Sequence, residues 1–307
     1  MTAHSHAHPH GAHDHESRDF GFAFAVGIAL NFAFVIAGVA FGLIGHSMAL
    51  IADAGHNLSD VLGLVIAWIA SWLSQRAPSP RYTYGLRSTS ILAALANGVT
   101  LLVATGAIAV EAIRRFFEPE PVAGNLVMIV AAIGILVNTF TALLFMHGRK
   151  ADLNIRGAFQ HMASDAAVSV GVVIAGAAIF FTGRLWIDPA VSLGIALVIV
   201  AGTWGLLREA LNMTLHGVPP GIDADAVKNY LSGLPGVCAI HDLHIWPMST
   251  TETALTCHLV MPGGHPGDEA LHDISDQLAH RFGIPHATIQ VETSDDPDCA
   301  LADDHAV

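Results

Sequence analysis

Six stretches between Phe20 and Leu207 are each long and apolar enough to cross a bilayer, and no other feature of this sequence restricts its fold so strongly. They run over roughly residues 20–43, 48–73, 88–113, 123–146, 157–181 and 186–207. A span needs about 20 mostly apolar residues. Inside lipid the backbone must satisfy its own hydrogen bonds, so each stretch predicts a helix. The chain is 53% hydrophobic and only 13% charged, against about 25% charged in soluble proteins. If the N-terminus is inside, eight loop cations (Arg18, Arg76, Arg81, Arg87, Arg149, Lys150, Arg156 and Arg208) lie on the inner side. Only Arg114, Arg115 and Arg184 lie outside. That excess predicts both termini in the cytosol, and the expected location is the cell (inner) membrane, with the chain crossing it several times. The polar N-terminus lacks the basic start and apolar core of a cleavable signal.

From about residue 209 the pattern changes. "DADAVKNYLSGL" and "GDEALHDISDQLAHRF" have helical periodicity, and "GVCAIHDLHIWPM", "TALTCHLVMP" and "ATIQVETS" read as strands. The expected fold class is therefore an α-helical membrane protein with six transmembrane helices followed by a cytosolic α+β domain of order α-β-β-α-β. Expected boundaries are a His-rich disordered cytosolic tail at 1–19, a transmembrane domain at 20–208, the soluble domain at 209–295 and a C-terminal tail at 296–307. Beyond Ala210 only Lys228 and Arg281 oppose the acidic residues, which excludes nucleic acid as a partner. Three cysteines, Cys238, Cys257 and Cys299, form no disulfide framework and suit a reducing compartment. The tail carries His4, His6, His8, His10, His13 and His15, a spacing that can collect divalent metals or simply remain solvated.

The second and fifth stretches share an oddity. One contains His56-Asn-Leu-Ser-Asp60 and the other His161-Met-Ala-Ser-Asp165. An ionised Asp at the bilayer centre costs about 2.5–3.5 kcal/mol on insertion scales. Residues i and i+4 share a helix face, so each helix offers an imidazole and a carboxylate side by side. Two such helices packed together supply two His and two Asp, a set that tetrahedral zinc accepts and that magnesium or calcium does not favour. Metal binding would then offset the cost of placing these groups in lipid. The alternative is a set of structural interhelical hydrogen bonds. Asp53 lies on the same face as His56 and is read first as a helix-orienting cap, second as an outer ligand. Asn31 and Asn138 are read first as interhelical contacts.

Together, "HSMALIADAGHNLSDV", "YTYGLRSTSILAALANG", "HMASDAAVSVGVVIAG", "WIDPAVSLGIALVI", "HGVP" and "HDLHIWPM" resemble the cation diffusion facilitator family of proton-coupled zinc exporters, from Phe20 to Glu292. The resemblance implies a transport site of His56, Asp60, His161 and Asp165, of the zinc-preferring type. It implies a ferredoxin-like, metallochaperone-like cytosolic domain that forms a homodimer and takes regulatory zinc through His241, His258 and Glu292, with Cys299 and His244 as further candidates. Gln290 stands where some relatives have a ligand. The loop "SQRAPSPRYTYGLRS" has no Asp, Glu or His, so the extra metal site some relatives hold there is expected to be missing. The long His-rich loop of many animal relatives is also missing between the fourth and fifth spans, where "HGRKADLNIR" is short.

These readings imply Zn²⁺/H⁺ antiport by alternating access rather than enzymatic catalysis. Imidazole binds zinc only when neutral, so protons and metal compete for the same lone pairs. The expected partners are zinc ion, protons, the lipid bilayer and a second copy of the chain. Two alternatives are a membrane-anchored zinc sensor and an intramembrane zinc hydrolase. The hydrolase is disfavoured because four inward ligands leave no open coordination position and no His-Glu-x-x-His is present.

Overall fold

The computed structural model describes residues 14–44, 48–118, 124–150, 152–184 and 186–294; the side chains of residues 14–20 and 48–56 and of scattered helical positions are not among them. Six long helices come first: α1 (Asp14–Ile44), α2 (Met48–Ser74), α3 (Thr89–Phe117), α4 (Gly124–Phe145), α5 (Leu153–Thr182) and α6 (Ile187–Thr214). Among the described residues, four segments are long and apolar enough to cross a membrane: Gly21–Phe41, Thr89–Phe117, Met128–Phe145 and Pro189–Thr214. In α2 the described apolar segment is the shorter Asp60–Ser74.

The helices bury alanines and a few larger apolar residues against one another and leave many large aliphatic and aromatic side chains outward, as a lipid-facing surface requires. Ala23 and Phe24 of α1, Leu64 and Ala67 of α2, Ala142 and Phe145 of α4, and Ile155, Ala158 and Met162 of α5 form one buried cluster. Phe24 and Phe145 stack tilted, with centroids 5.1 Å apart. Gly27 allows α1 and α4 to approach: a Cβ there would lie 3.0 Å from Cγ2 of Thr141. Asn31, buried beside this contact, donates to the carbonyl of Gly27 (2.9 Å) and to Oγ1 of Thr141 (3.4 Å), with Sδ of Met162 at 3.6 Å. It thus links α1, α4 and α5, as its reading from the sequence anticipates. Asn138 is equally buried, but its Oδ1 has no hydrogen-bond partner among the described residues.

A short 3-10 turn, Gly148–Lys150, separates α4 from α5; after α6 come α7 (Ala224–Ser232), β1 (Ala239–Pro247), β2 (Thr253–Val260), α8 (Asp268–Phe282) and β3 (His286–Glu292), in the order the sequence pattern predicts. The α7 N-terminus is capped by Asp223, whose carboxylate accepts from the backbone N–H of Ala226 at 3.1 Å. Helix α8 ends at Gly283, whose φ of 70° is the left-handed conformation glycine adopts freely. The sheet order is β1-β2-β3, with β1 and β2 antiparallel and β2 and β3 parallel. Val227, Leu231, Ile274 and Leu278 pack with Ile245, Leu255, Cys257 and Leu259 to form the core. Strand alternation places His258 on the face opposite Cys257.

The chain separates into two compact units. Among the described residues, one holds those up to Trp72 together with those between Ala96 and Leu206; the other holds Leu73–Leu95 and those from Leu207 to Ser294. Within the second unit, the connection between α2 and α3 meets the β1–β2 hairpin. Arg87 pairs with Glu252, Ser88 Oγ donates to the carbonyl of Met248 at 3.3 Å, and the N–H of Thr250 donates to Oγ of Ser90 at 3.1 Å.

Candidate metal centres

The first centre arises from two facts of helical geometry. Asp165 follows His161 by four residues on α5, so both side chains leave the same face. Asp60 enters from α2. His161 Nε2 lies 2.8 Å from Asp60 Oδ1 and 3.4 Å from Asp165 Oδ2. All three side chains are largely buried, with exposures of 11% for His161, 4% for Asp60 and 11% for Asp165. One ligand atom from each lies within 4.8 Å of the others. Two carboxylates around one imidazole, largely shielded from solvent, form a charge arrangement that a dication neutralises. His56 lies on α2 one turn before Asp60, but its side chain, like that of Asp53, is outside the described residues. A small cavity beside the trio is bounded by Asp60 and Gly63 of α2, Ala158 and His161 of α5, and Asn97 of α3.

The second centre is built by strand register. His241 and His258 are direct cross-strand partners, and His258 pairs in turn with Gln290. Glu292, two residues along β3, shares the face of Gln290. His241 Nε2 is 3.0 Å from Glu292 Oε2, and His258 Nδ1 is 2.7 Å from Glu292 Oε1. The two imidazoles meet edge to face, with centroids 4.8 Å apart. Two imidazoles and one carboxylate converging in this way form a nitrogen–oxygen donor set that fits a divalent transition-metal ion such as zinc.

Asp242 belongs to this centre too. The register shifts between His241 and His244, and Asp242 sits in the bulge with φ of 51°. A regular strand would turn its side chain to the opposite face from that of His241. The left-handed backbone instead brings its carboxylate to His258 Nε2 (Oδ2, 3.6 Å) and His244 Nε2 (Oδ1, 2.8 Å). His244 therefore contacts Asp242 and stands apart from the His241–His258–Glu292 trio. Gln290 donates from Nε2 to Glu292 Oε1 at 3.3 Å, so it orients the carboxylate. Cys257 offers no thiolate here: burial, with help from the Asp242 charge, pushes its thiol up to about 12. Cys299 and the tail histidines His4, His6, His8, His10 and His13 lie outside the described residues, and His15 does so in its side chain.

Asn97 and Asp242 are not legible as site residues from motif spacing. Asn97 carried one signal, an amide in an otherwise apolar span. Asp242 carried none, since a bulge has no sequence mark here.

Comparison with known proteins agrees with this architecture. Residues 24–213 match the cation efflux transmembrane domain, and residues 219–294 match the cytoplasmic domain of cation efflux proteins. The zinc transporter ZitB of Escherichia coli (strain K12) is 36% identical over 272 residues, covering 87% of this chain and 87% of that one. The cation efflux system protein CzcD of Alcaligenes sp. (strain CT14) is 36% identical over 266 residues, 86% of this chain and 84% of that one. A cadmium, cobalt and zinc/H(+)-K(+) antiporter of Bacillus subtilis (strain 168) is 36% identical over 265 residues, 85% of each. A solved structure of the metal-bound C-terminal domain of the CzcD transporter from Cupriavidus metallidurans is 38% identical, covering 23% of this chain and 99% of that one, with a TM-score of 0.22. With a transmembrane and a cytoplasmic family match spanning most of its length, this chain belongs to the cation efflux family of membrane transporters.

Proposed function

We propose that this chain exports Zn²⁺ from the cytosol in exchange for protons, with His56, Asp60, His161 and Asp165 as the transport site. The observation that carries the reading is the meeting of Asp60 from α2 with His161 and Asp165 from α5 inside the helical unit. The zinc transporter among the relatives supports the choice of metal, and the antiporter supports proton exchange. Imidazole must lose its proton to bind zinc, so a site facing the more acidic side takes up protons and releases metal, and a site facing the cytosol does the reverse. Alternating access of the site then couples proton entry to zinc exit. In this reading the protein lies in the inner membrane with both termini in the cytosol. Residues 1–19, of which 14–19 already belong to α1, form a metal-collecting tail, 20–208 carry transport, 209–295 form the ferredoxin-like domain through which two copies dimerise, and 296–307 are a tail. The cytosolic domain would hold regulatory zinc through His241, His258 and Glu292, with Asp242 and His244 beside them. Zinc there favours one arrangement of the dimer by its differential affinity.

The test is zinc uptake into sealed vesicles containing the purified protein, read with a zinc indicator under an imposed pH gradient. The expected result is zinc movement driven by opposing proton movement, abolished by Asp60→Ala with folding retained. Absence of flux from the wild-type protein overturns the export reading and favours a sensor.

A further inference from the structure

Helix α3 brings a polar group to the transport site. Asn97 lies two turns into α3, half-buried, and its carboxamide borders the cavity shared with Asp60 and His161. Two glycines make room for it. A Cβ on Gly63 would lie 3.2 Å from Asn97 Oδ1, and a Cβ on Gly157 would lie 3.1 Å from Asn97 Nδ2. Both distances are tighter than ordinary van der Waals contact, so side chains there would displace the amide. The positions of these glycines carry the argument. Gly63 is three residues after Asp60 on α2, and Gly157 is four residues before His161 on α5. Each lies on the ligand's own face of its helix, one turn on. That turn points toward the C-terminal end of α2 and the N-terminal end of α5, and Asn97 is close to the N-terminal end of α3. Three helices thus frame one amide immediately to one side of the metal ligands, the side toward the C-terminal end of α2 and the N-terminal end of α5.

The chemistry of an amide suits an approach to a cation site. Its carbonyl oxygen can replace one water of a hydrated dication. It carries no charge to trap the ion and no proton to titrate, unlike the imidazoles beyond it. We propose that Asn97 is a positioning residue for the transported cation: its carboxamide lines the approach from that side and orients the partly hydrated ion before Asp60 and His161 take it. The inference rests on the export reading above.

Zinc flux in vesicles containing the full-length protein tests it. Asn97→Leu keeps the size and removes the amide. The expected result is a rise in KM for zinc of about 5-fold or more, the value of one lost polar contact, with kcat within about twofold of wild type. The pH dependence should be unchanged, because the amide does not titrate. Asn97→Asp should restore a low KM, slow turnover and add pH dependence to KM, since a carboxylate holds the ion more tightly and competes for protons. Gly157→Ala should raise KM as Asn97→Leu does, and serves as the readout if the leucine variant fails to fold. Gly106→Ala, on α3 like Asn97 and with nothing within 4 Å of the added carbon, should match wild type. Wild-type KM in Asn97→Leu, or a fall in kcat alone, overturns the proposal while wild-type flux leaves the export reading standing. Absence of wild-type flux overturns both.

Discussion

At His161 a single nitrogen faces two carboxylates, one from its own helix and one from α2. Replacing Asp165 by Asn keeps the shape and removes half of the negative charge available to the ion. Zinc transport in vesicles should fall by at least about 10-fold, since a charged ligand contributes more than one decade of affinity, while the elution profile of the detergent-solubilised protein stays unchanged. His56→Asp adds oxygen character and charge and should shift competition between metals from zinc toward cadmium or manganese. Unchanged selectivity would place His56 outside the ligand set. Cys257 makes a separate prediction. Its thiol is buried and pushed up to about 12, so it stays protonated at neutral pH and should resist maleimide in a Cys238→Ser, Cys299→Ser background until denaturant is added. Stability linked to this group is present below the unfolded thiol's ordinary value and declines as pH rises above it, because only the unfolded chain then loses the proton. The His161–Asp165 pairing was legible because helix geometry fixes i to i+4 wherever a helix forms. Asp242 was hidden because a strand alternates strictly only until a bulge interrupts it.

Among the elements, the three strands show how register turns distant residues into a centre. His241, His258 and Glu292 are far apart in sequence, yet antiparallel pairing of β1 with β2 and parallel pairing of β2 with β3 bring them to one face. Residue alternation reveals which positions share a face of one strand, but not which residue of the next strand stands opposite. The trio therefore became readable in the sequence only through family resemblance. The centre's hold on metal can be measured through folding. A ligand at about 100 times its Kd stabilises the folded state by about 2.7 kcal/mol. Chelation of the full-length protein in detergent should therefore lower the melting transition of the cytosolic unit, and zinc should restore it. In His241→Ala, His258→Ala the transition should no longer respond to either treatment. A variant that still gains stability from zinc would place the metal elsewhere in that unit.

For the whole molecule, chain order suggests a membrane part ending near residue 208 and a soluble part after it. Among the described residues the second compact unit is assembled from two stretches, Leu73–Leu95 and the chain from Leu207 to Ser294. Nothing in "SQRAPSPRYTYGLRS" announces this. The connection is shaped by its own turns, with Ser79 and Tyr82 exchanging backbone hydrogen bonds and Gly85 at φ 74° where a Cβ would lie 2.9 Å from the carbonyl of Arg76. Its attachment to the β1–β2 hairpin uses bonds of unequal worth. Arg87 and Glu252 are each about a third exposed, and such ion pairs contribute about 0–1 kcal/mol. Ser90 is buried at 2% exposure and Thr250 at 8%. Ser90 Oγ donates to the carbonyl of Arg87 at 2.8 Å and accepts from the N–H of Thr250 at 3.1 Å. Ser90→Ala removes that acceptor from a buried N–H, a loss of about 1–3 kcal/mol. Arg76 and Arg81 are exposed, but trypsin needs the backbone around them extended, so cleavage follows the population of the open form of the connection. Ser90→Ala should thus speed cleavage in the folded protein by about 5-fold or more, and Glu252→Ala by less than about 5-fold. If Glu252→Ala speeds cleavage more than Ser90→Ala, the ion pair and not the buried serine holds the connection in place.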